Sequence, residues 1–452
     1  MAATGKGEPM APGERASAPG RDPLERLRTV PWEALQGLAE PVRETLGRVL
    51  GGAPVERALD ALLRQHRSLE AARRAALAEA VFGVALWRRR LARAAGLARW
   101  EGADPALLLC ALLHSLASVP EERARELSGL PAAAPIGWTD GAGWTLADRW
   151  SLPDWLAAAL ERDLGAGAEA FARAVCAPGP VCLRANLLLG TREELAASLA
   201  TDGIATRPGR YAAQALVATS PRPNLLGAAA HREGRFEAQD EGSQLVGALV
   251  EARPGECVLD ACAGAGGKAL LLAAELRDRG RVVAADVDRE RLARLQTRAA
   301  RARASCIEIA AAEAPREAIF DRALVDAPCS ELGTLRRGPD ARWRARPGEL
   351  GGLPALQLRI LEGAARVLRP GGQLVYATCT LRREENEEVA LAFEEAHPEF
   401  QRTRPGARFL DASFVRGGFF RSLPHLHDCD GFFAAVYRRR GGDAVDGAEC
   451  HP

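Results

Sequence analysis

What most narrows the fold is a pattern in the second half of the chain, where a short apolar run and a helix-forming stretch follow one another repeatedly. From about Phe236 the order is CVLDA then LLLAAEL, RVVAAD then RLARLQTRAA, RALVDA, and QLVYATC behind the helical stretch LQLRILEGAARVL. Alternation of this kind specifies an α/β fold with a doubly wound parallel sheet, whose ligands sit outside the carboxyl ends of the strands. The last strand candidate is GFFAAVYRR, and residues 439–452 read as a loose tail.

Upstream the pattern changes. VERALDALLRQH and RAALAEAVFGVALWRRRLARAAG carry apolar residues at three- and four-residue intervals, as amphipathic helices of a bundle do. The arginines between them are available to RNA, although a solvated helix face is the commoner role of any one arginine. The expected organisation is a tail over 1–22 and a helical domain over 23–130. A connector and small α/β domain follow over 131–235, then the α/β domain over 236–438. Within the third segment SLPDWLAAALERDLG predicts a helix capped by Ser or Asp. VCLRANLLL and ALVAT read as strands, and REELAASLATDG as a helix closed by Gly203.

With 60 Lys and Arg against 59 Asp and Glu, the charge balance by itself argues for no partner, so a nucleic acid would need a local basic surface. The N-terminus lacks the apolar core of a signal peptide, and no run of about eighteen apolar residues occurs. The 10 cysteines form no CxxC pair and no zinc spacing. These features predict a soluble cytoplasmic protein with reduced thiols, no metal, no membrane contact and a monomeric state.

Chemistry concentrates at the predicted strand ends. CVLDA runs into Cys262, Ala263, Gly264, Ala265, Gly266, Gly267 and Lys268, a glycine-rich turn that lets backbone approach a nucleotide-like ligand. VVAAD ends at Asp286, where a carboxylate can accept hydrogen bonds from ribose hydroxyls. The pair points to an adenosyl cofactor without separating a dinucleotide from S-adenosylmethionine. RALVD opens into Asp326-Ala327-Pro328-Cys329-Ser330, and QLVYA into Thr378-Cys379-Thr380. All four loops leave the carboxyl ends of neighbouring strands, so two cysteines and an aspartate should converge beside the cofactor. Cys110, Cys176, Cys182, Cys257 and Cys306 read instead as buried small hydrophobes. Lys6 and Lys268 are the only lysines, and Asn186, Asn224 and Asn386 the only asparagines, so a Lys or Asn at a motif position stands out.

VLDACAGAGGKA, VVAADVDRERL, FDRALVDAPCSELGTLRRGPDARW and LVYATCTLRREEN resemble, in order and spacing, the motifs of the RsmB/Sun family of ribosomal-RNA cytosine-C5 methyltransferases. LRAN, FEAQDEGSQL and the Asp430-Gly431-Phe432-Phe433 run extend the match to about Ser151–Arg438, and VFGVALWRRRL is similar to the family's NusB-like domain. The resemblance implies a Rossmann-like S-adenosylmethionine-dependent methyltransferase domain preceded by an all-α NusB-like domain and a small α/β domain. It implies RNA, from the small ribosomal subunit, as substrate. It makes Cys379 the attacking nucleophile and Cys329 the cysteine that assists release. Asp326 becomes the acceptor for the cytosine amino group, and Lys268 a source of positive potential that lowers the thiol pKa. The cofactor falls to Cys262 through Lys268, with Asp286, Arg291 and Asp326. Three motifs depart from the pattern. Ala265 replaces a proline and Ala269 a threonine, which predicts a looser turn and weaker cofactor binding. An adenine-contacting aspartate is missing, leaving Glu313, and Thr380 replaces a serine while keeping the hydroxyl.

Three other functions compete. A degenerate relative that binds RNA or assists ribosome assembly without catalysis would account for the altered turn. DNA cytosine methylation from Pro328-Cys329 would leave Thr378-Cys379 without purpose, and a dinucleotide dehydrogenase would leave both cysteines without one.

Overall fold

The computed structural model describes residues 22–220, 223–310, 319–338, 340–406 and 409–441. Glu313 and most of both predicted tails lie outside these residues.

The helical spacing upstream produces α1 (Ala39–Leu50), α2 (Val55–Gln65), α3 (Ala71–Ala94), α4 (Pro105–Ala111) and α5 (Glu121–Ser128). In α2 the apolar positions Val55, Ala58, Leu59 and Leu62 form one buried stripe. α3 is buried on nearly all sides and is the post around which the bundle packs, with Leu77, Val81, Val84, Trp87 and Leu91 in the core. The bundle docks onto the rest of the chain through a buried arginine. The Arg88 guanidinium lies 4.7 Å from the Trp100 ring and 5.2 Å from Trp343, and burial pushes its pKa down to about 10.

Two further helices, α6 (Asp154–Leu164) and α7 (Ala168–Ala174), lead into the small domain. The expected side-chain cap of α6 is absent, for Pro153 occupies the capping position. Ser151 instead accepts the Arg89 N–H at 3.1 Å, and Asp154 pairs with Arg89 at 2.7 Å, so α3 anchors this helix from outside. The small domain holds β1 (Cys182–Ala185), α8 (Arg192–Thr201), β2 (Thr206–Pro208), β3 (Ala215–Ala218) and β4 (Phe236–Ala238), its antiparallel sheet ordered β2-β3-β1-β4. The strand predicted over VCLRANLLL stops early. Asn186 leaves the sheet to donate through Nδ2 to the carbonyls of Gly234 and Ala302, at 3.0 and 2.9 Å.

Downstream come α9 (Glu241–Ala248), β5 (Cys257–Asp260), α10 (Gly267–Glu275), β6 (Arg281–Ala284), α11 (Arg289–Ala302), β7 (Ile307–Ile309) and β8 (Phe320–Asp326). These are followed by α12 (Leu353–Arg366), β9 (Leu368–Thr378), α13 (Glu387–Ala396), β10 (Phe400–Thr403), β11 (Val415–Arg416), β12 (Phe419–Ser422) and β13 (Phe432–Arg439). β7-β6-β5-β8-β9 are parallel, but β13 pairs antiparallel with β9 and is flanked by antiparallel β12 and β10. The all-parallel expectation is therefore corrected to a mixed sheet: β13 arrives from a pairing with β12 rather than through a crossover helix. Alternate residues face opposite layers, as strand geometry requires. Val258, Leu324, Val375 and Ala377 pack against Leu245, Leu270 and Leu295 of α9 to α11. Leu259, Val325, Leu374 and Tyr376 pack against Leu361, Val389 and Phe393 of α12 and α13.

Among the described residues no helix is long and apolar enough to cross a membrane, and no group of three His, Cys, Asp or Glu is placed to hold a metal ion. Leu324 is fully buried at the centre of the sheet. Leu324→Ala should lower unfolding free energy by about 3 kcal/mol in a urea titration, through lost transfer energy and a residual cavity.

Candidate active site

The glycine turn connects β5 to α10 beneath the end of β6. Ala263 N–H donates to the Ala285 carbonyl at 2.9 Å, Gly264 N–H to Asp286 Oδ2 at 2.8 Å, and Gly266 N–H back to the Ala263 carbonyl at 2.8 Å. Gly266 has φ +88°, and a Cβ there would lie 2.1 Å from Leu295 Cδ1, so only glycine fits. Asp286 also accepts the Asp288 N–H at 2.8 Å, so it shapes the turn before any ligand arrives. Arg291 is not gathered into this site. It stands in the first turn of α11, mostly exposed and paired with Asp288 at 3.3 Å.

Asp260 was missed in the sequence, although the acidic residue ending CVLD was a visible signal. It is 1% exposed, and its carboxylate oxygens have no side-chain hydrogen-bond partner, with only the Cys262 backbone N–H turned toward them. Burial, then the neighbouring Asp326 charge, raise its pKa to about 7. A buried carboxylate so short of donors is costly, and a ligand ammonium would satisfy it. Together with the glycine turn it fits a nucleoside ligand that carries an amino group.

β8 and β9 run parallel with Asp326 opposite Ala377, so the loops that follow them emerge side by side. Cys329 Sγ and Cys379 Sγ are 3.4 Å apart, and the Cys379 N–H points at Cys329 Sγ at 3.3 Å. The loops are stapled together. Ser330 Oγ and Thr380 Oγ1 are hydrogen-bonded at 2.7 Å, and Gly333 N–H donates to the Cys379 carbonyl at 2.9 Å. Glu385, fully buried, accepts from Ser330 N–H and Gln357 Nε2 at 2.9 and 3.0 Å. Gly333 cannot carry a side chain here, for a Cβ would sit 2.0 Å from the Gly431 carbonyl oxygen. Asn386 brackets the second cysteine: its Oδ1 accepts from Thr378 Oγ1 at 2.5 Å, and its Nδ2 donates to the Thr380 carbonyl at 3.0 Å. Further out, Arg336 and Arg337 bind Asp240 and Asp430, tying the Cys329 loop to β13 and α9.

The expected thiol activation is corrected. Lys268 Nζ is 2.5 Å from Asp326 Oδ2; burial would lower its pKa, but the Asp326 carboxylate raises it above the usual range. Its charge is thus largely matched by Asp326. The Cys379 thiol is held well above its ordinary pKa by the hydrogen bond to Cys329, by burial, and by the charges of Cys329 and Asp326. The thiol of the free protein stays protonated at neutral pH. Cys262 is also pushed up, by burial and then by Asp260. Cys110, Cys176, Cys182, Cys257 and Cys306 are all buried away from the cluster.

A mixed sheet of this order, with a glycine turn after β5 and functional groups at the ends of β5, β6, β8 and β9, defines a Rossmann-like, S-adenosylmethionine-dependent methyltransferase domain. Residues 248–438 match the model of the 16S rRNA methyltransferase RsmB/F family, and residues 152–224 match its ferredoxin-like domain. The chain is 34% identical over 306 residues to a probable ribosomal RNA small subunit methyltransferase B of Bacillus subtilis, covering 66% of this chain and 68% of that one. It is 36% identical over 323 residues to ribosomal RNA small subunit methyltransferase B of Xanthomonas campestris, covering 70% and 69%. The crystal structure of a methyltransferase homologue from Pyrococcus horikoshii superposes with a TM-score of 0.56 at 26% identity, over 65% of this chain and 97% of that one. The protein belongs to the RsmB/F family of 16S rRNA methyltransferases.

Asp260 yields a test of the site's electrostatics. Its folded pKa of about 7 stands above the ordinary 3.8, so the native state holds the proton more tightly than the unfolded chain does. Its contribution is complete below pH 3.8 and is lost as pH rises toward 7. Asp260→Asn should flatten that fall in melting temperature, recorded between about pH 4 and 8 without ligand. An unchanged slope would place the charge elsewhere.

Proposed function

We propose that this protein methylates carbon 5 of a cytosine in RNA, the small-subunit ribosomal RNA, through a covalent adduct with Cys379. The observation that carries the reading is the cysteine pair, 3.4 Å apart at the ends of β8 and β9 beside Lys268 and Asp326. Carbon 5 of cytosine is a poor nucleophile until sulfur adds at carbon 6. Cys379 forms that bond, its thiol proton passes to the carboxylate of Asp326, and Asp326 returns it to ring nitrogen 3, so that carbon 5 becomes electron-rich. S-adenosylmethionine supplies the electrophilic methyl group. The Cys329 sulfur, its own proton given up to solvent, then takes the proton from carbon 5; the carbon–sulfur bond to Cys379 breaks as the carbon 5–carbon 6 double bond re-forms, and the proton on ring nitrogen 3 returns through Asp326 to the Cys379 sulfur. Asp326 also accepts from the cytosine amino group, and Lys268 Nζ, 2.5 Å from its Oδ2, orients it.

The cofactor is held by the turn from Cys262 to Lys268, with Asp260 toward its amino group and Asp286 toward its ribose. The protonated resting thiol suits this scheme, because a thiol is spared oxidation until it loses its proton. The cytosine must be unpaired or flipped out, since its ring face is hidden inside a helix. The helical bundle and the small antiparallel sheet offer arginines for the RNA backbone. Such a substrate puts the protein in the cytoplasm.

Cys379→Ala should lose turnover of ribosomal RNA by roughly three orders of magnitude or more, measured as label transferred from S-adenosylmethionine, and form no covalent complex. Cys329→Ala should accumulate an RNA adduct that survives denaturing electrophoresis. An adduct persisting in the Cys379 variant would reverse the two roles.

A further inference from the structure

Behind the glycine turn lies a shielded ionic bracket that the proposed chemistry leaves unused. Arg298, on α11, donates from Nη1 to the Ala265 carbonyl at 2.6 Å, and from Nη2 and Nε to Glu237 Oε2 at 2.7 and 3.2 Å. Arg301, almost one turn on, donates to Glu237 Oε1 at 2.5 Å. Glu237 belongs to β4 of the small antiparallel sheet, and its side chain is 7% exposed. Arg184, its partner across the β1–β4 pairing, is itself buried and adds a third guanidinium nearby. One carboxylate of the small domain thus orients the arginine that grips the methyltransferase domain's turn.

The position gripped matters. The amides of Ala263 and Gly264 are anchored to the end of β6, whereas the carbonyl of Ala265 is taken by Arg298. Ala265 is free to rotate about φ where a proline would be fixed, so the restraint on the turn at this point comes from outside it. A charge-assisted bond to a guanidinium already held by a shielded carboxylate is a strong restraint of that kind, because neither partner is free to swing into water.

We propose that Arg298 is a positioning residue that holds the glycine turn in its cofactor-binding shape, and that Glu237 holds Arg298, so the small sheet sets the affinity for the methyl donor. The inference rests on the reading of that turn as the S-adenosylmethionine site. Releasing the tie lets the turn populate other conformations, and apparent affinity falls by the competent fraction. Among the described residues the hydrogen bonds and ion pairs of Arg298 run to Glu237 and Ala265 and to neither cysteine loop, so the rate at saturation is spared. Lysine retains the charge but lacks the planar fork that spans both Ala265 and Glu237.

The test is calorimetric binding of S-adenosylmethionine to the full-length protein, alongside steady-state methylation of ribosomal RNA. Arg298→Ala should raise Kd and KM for the cofactor by about tenfold, with kcat within about twofold of the unaltered protein. Arg298→Lys should recover part of the loss. Glu237→Gln should weaken binding in the same direction, and the Arg298→Ala, Glu237→Gln double variant should bind no worse than Arg298→Ala alone. If Arg298→Ala does not fold, Glu237→Gln and Arg298→Lys carry the test. Cofactor affinity within twofold of the unaltered protein in these variants, even with a lowered melting temperature, overturns the inference and leaves the site assignment standing. So does a loss of kcat with KM unmoved. Failure of the unaltered protein to bind S-adenosylmethionine overturns both.

Discussion

Everything at the proposed reaction centre depends on the parallel register between β8 and β9. Because Asp326 lies opposite Ala377, two loops whose cysteines are 50 residues apart in sequence leave the sheet at the same height. Backbone pairing fixes height only. The final placement comes from the staples above the sheet: the Ser330–Thr380 hydroxyl pair, the Glu385 carboxylate under Ser330 N–H, and the close approach of Gly333 to Gly431. Each of these is at least partly shielded from solvent, where a satisfied polar network is rigid and an incomplete one is costly.

The same shielding governs the charges. Lys268 and Asp326 form an ion pair, and Asp260 lies buried beside them with no side-chain donor of its own. The Cys329 hydrogen bond and burial hold the Cys379 pKa up, while burial and the Asp326 charge raise that of Asp260 to about 7. A cationic ligand relieves the second. The site is therefore electrostatically incomplete in a way that matches the ligand proposed for it, and the turn that would receive that ligand is braced from the small domain through Glu237 and Arg298.

Much of the architecture was legible in the residues. Helical periodicity marked α2, the length of its apolar stretch marked α3, and strand-helix alternation marked the sheet, because long regular elements leave a strong pattern. Short elements escaped. β7 and the edge strands β10 to β12 span two to four residues, too few to show a period, and the antiparallel entry of β13 is a property of pairing. The cap expected for α6 failed because Arg89, on a different helix, supplies the anchor. Asp260 showed only its place at the end of CVLD, and Arg298 carried no local mark of its role, since both are defined by neighbours from other strands and helices.

By itself the sequence determined which residue types stand at the strand ends: glycines where backbone must approach a ligand, two cysteines, Lys268, Asp286 and Asp326. These follow from motif order, which a linear chain states directly. Only the tertiary structure decided how they act on one another. It placed the two sulfurs in contact and matched Lys268 to Asp326 rather than to a thiolate. It left Arg291 outside and brought a carboxylate of the small sheet to bear on the cofactor turn. Those outcomes depend on distance and on exclusion of water, and both are set by packing between segments far apart in the chain.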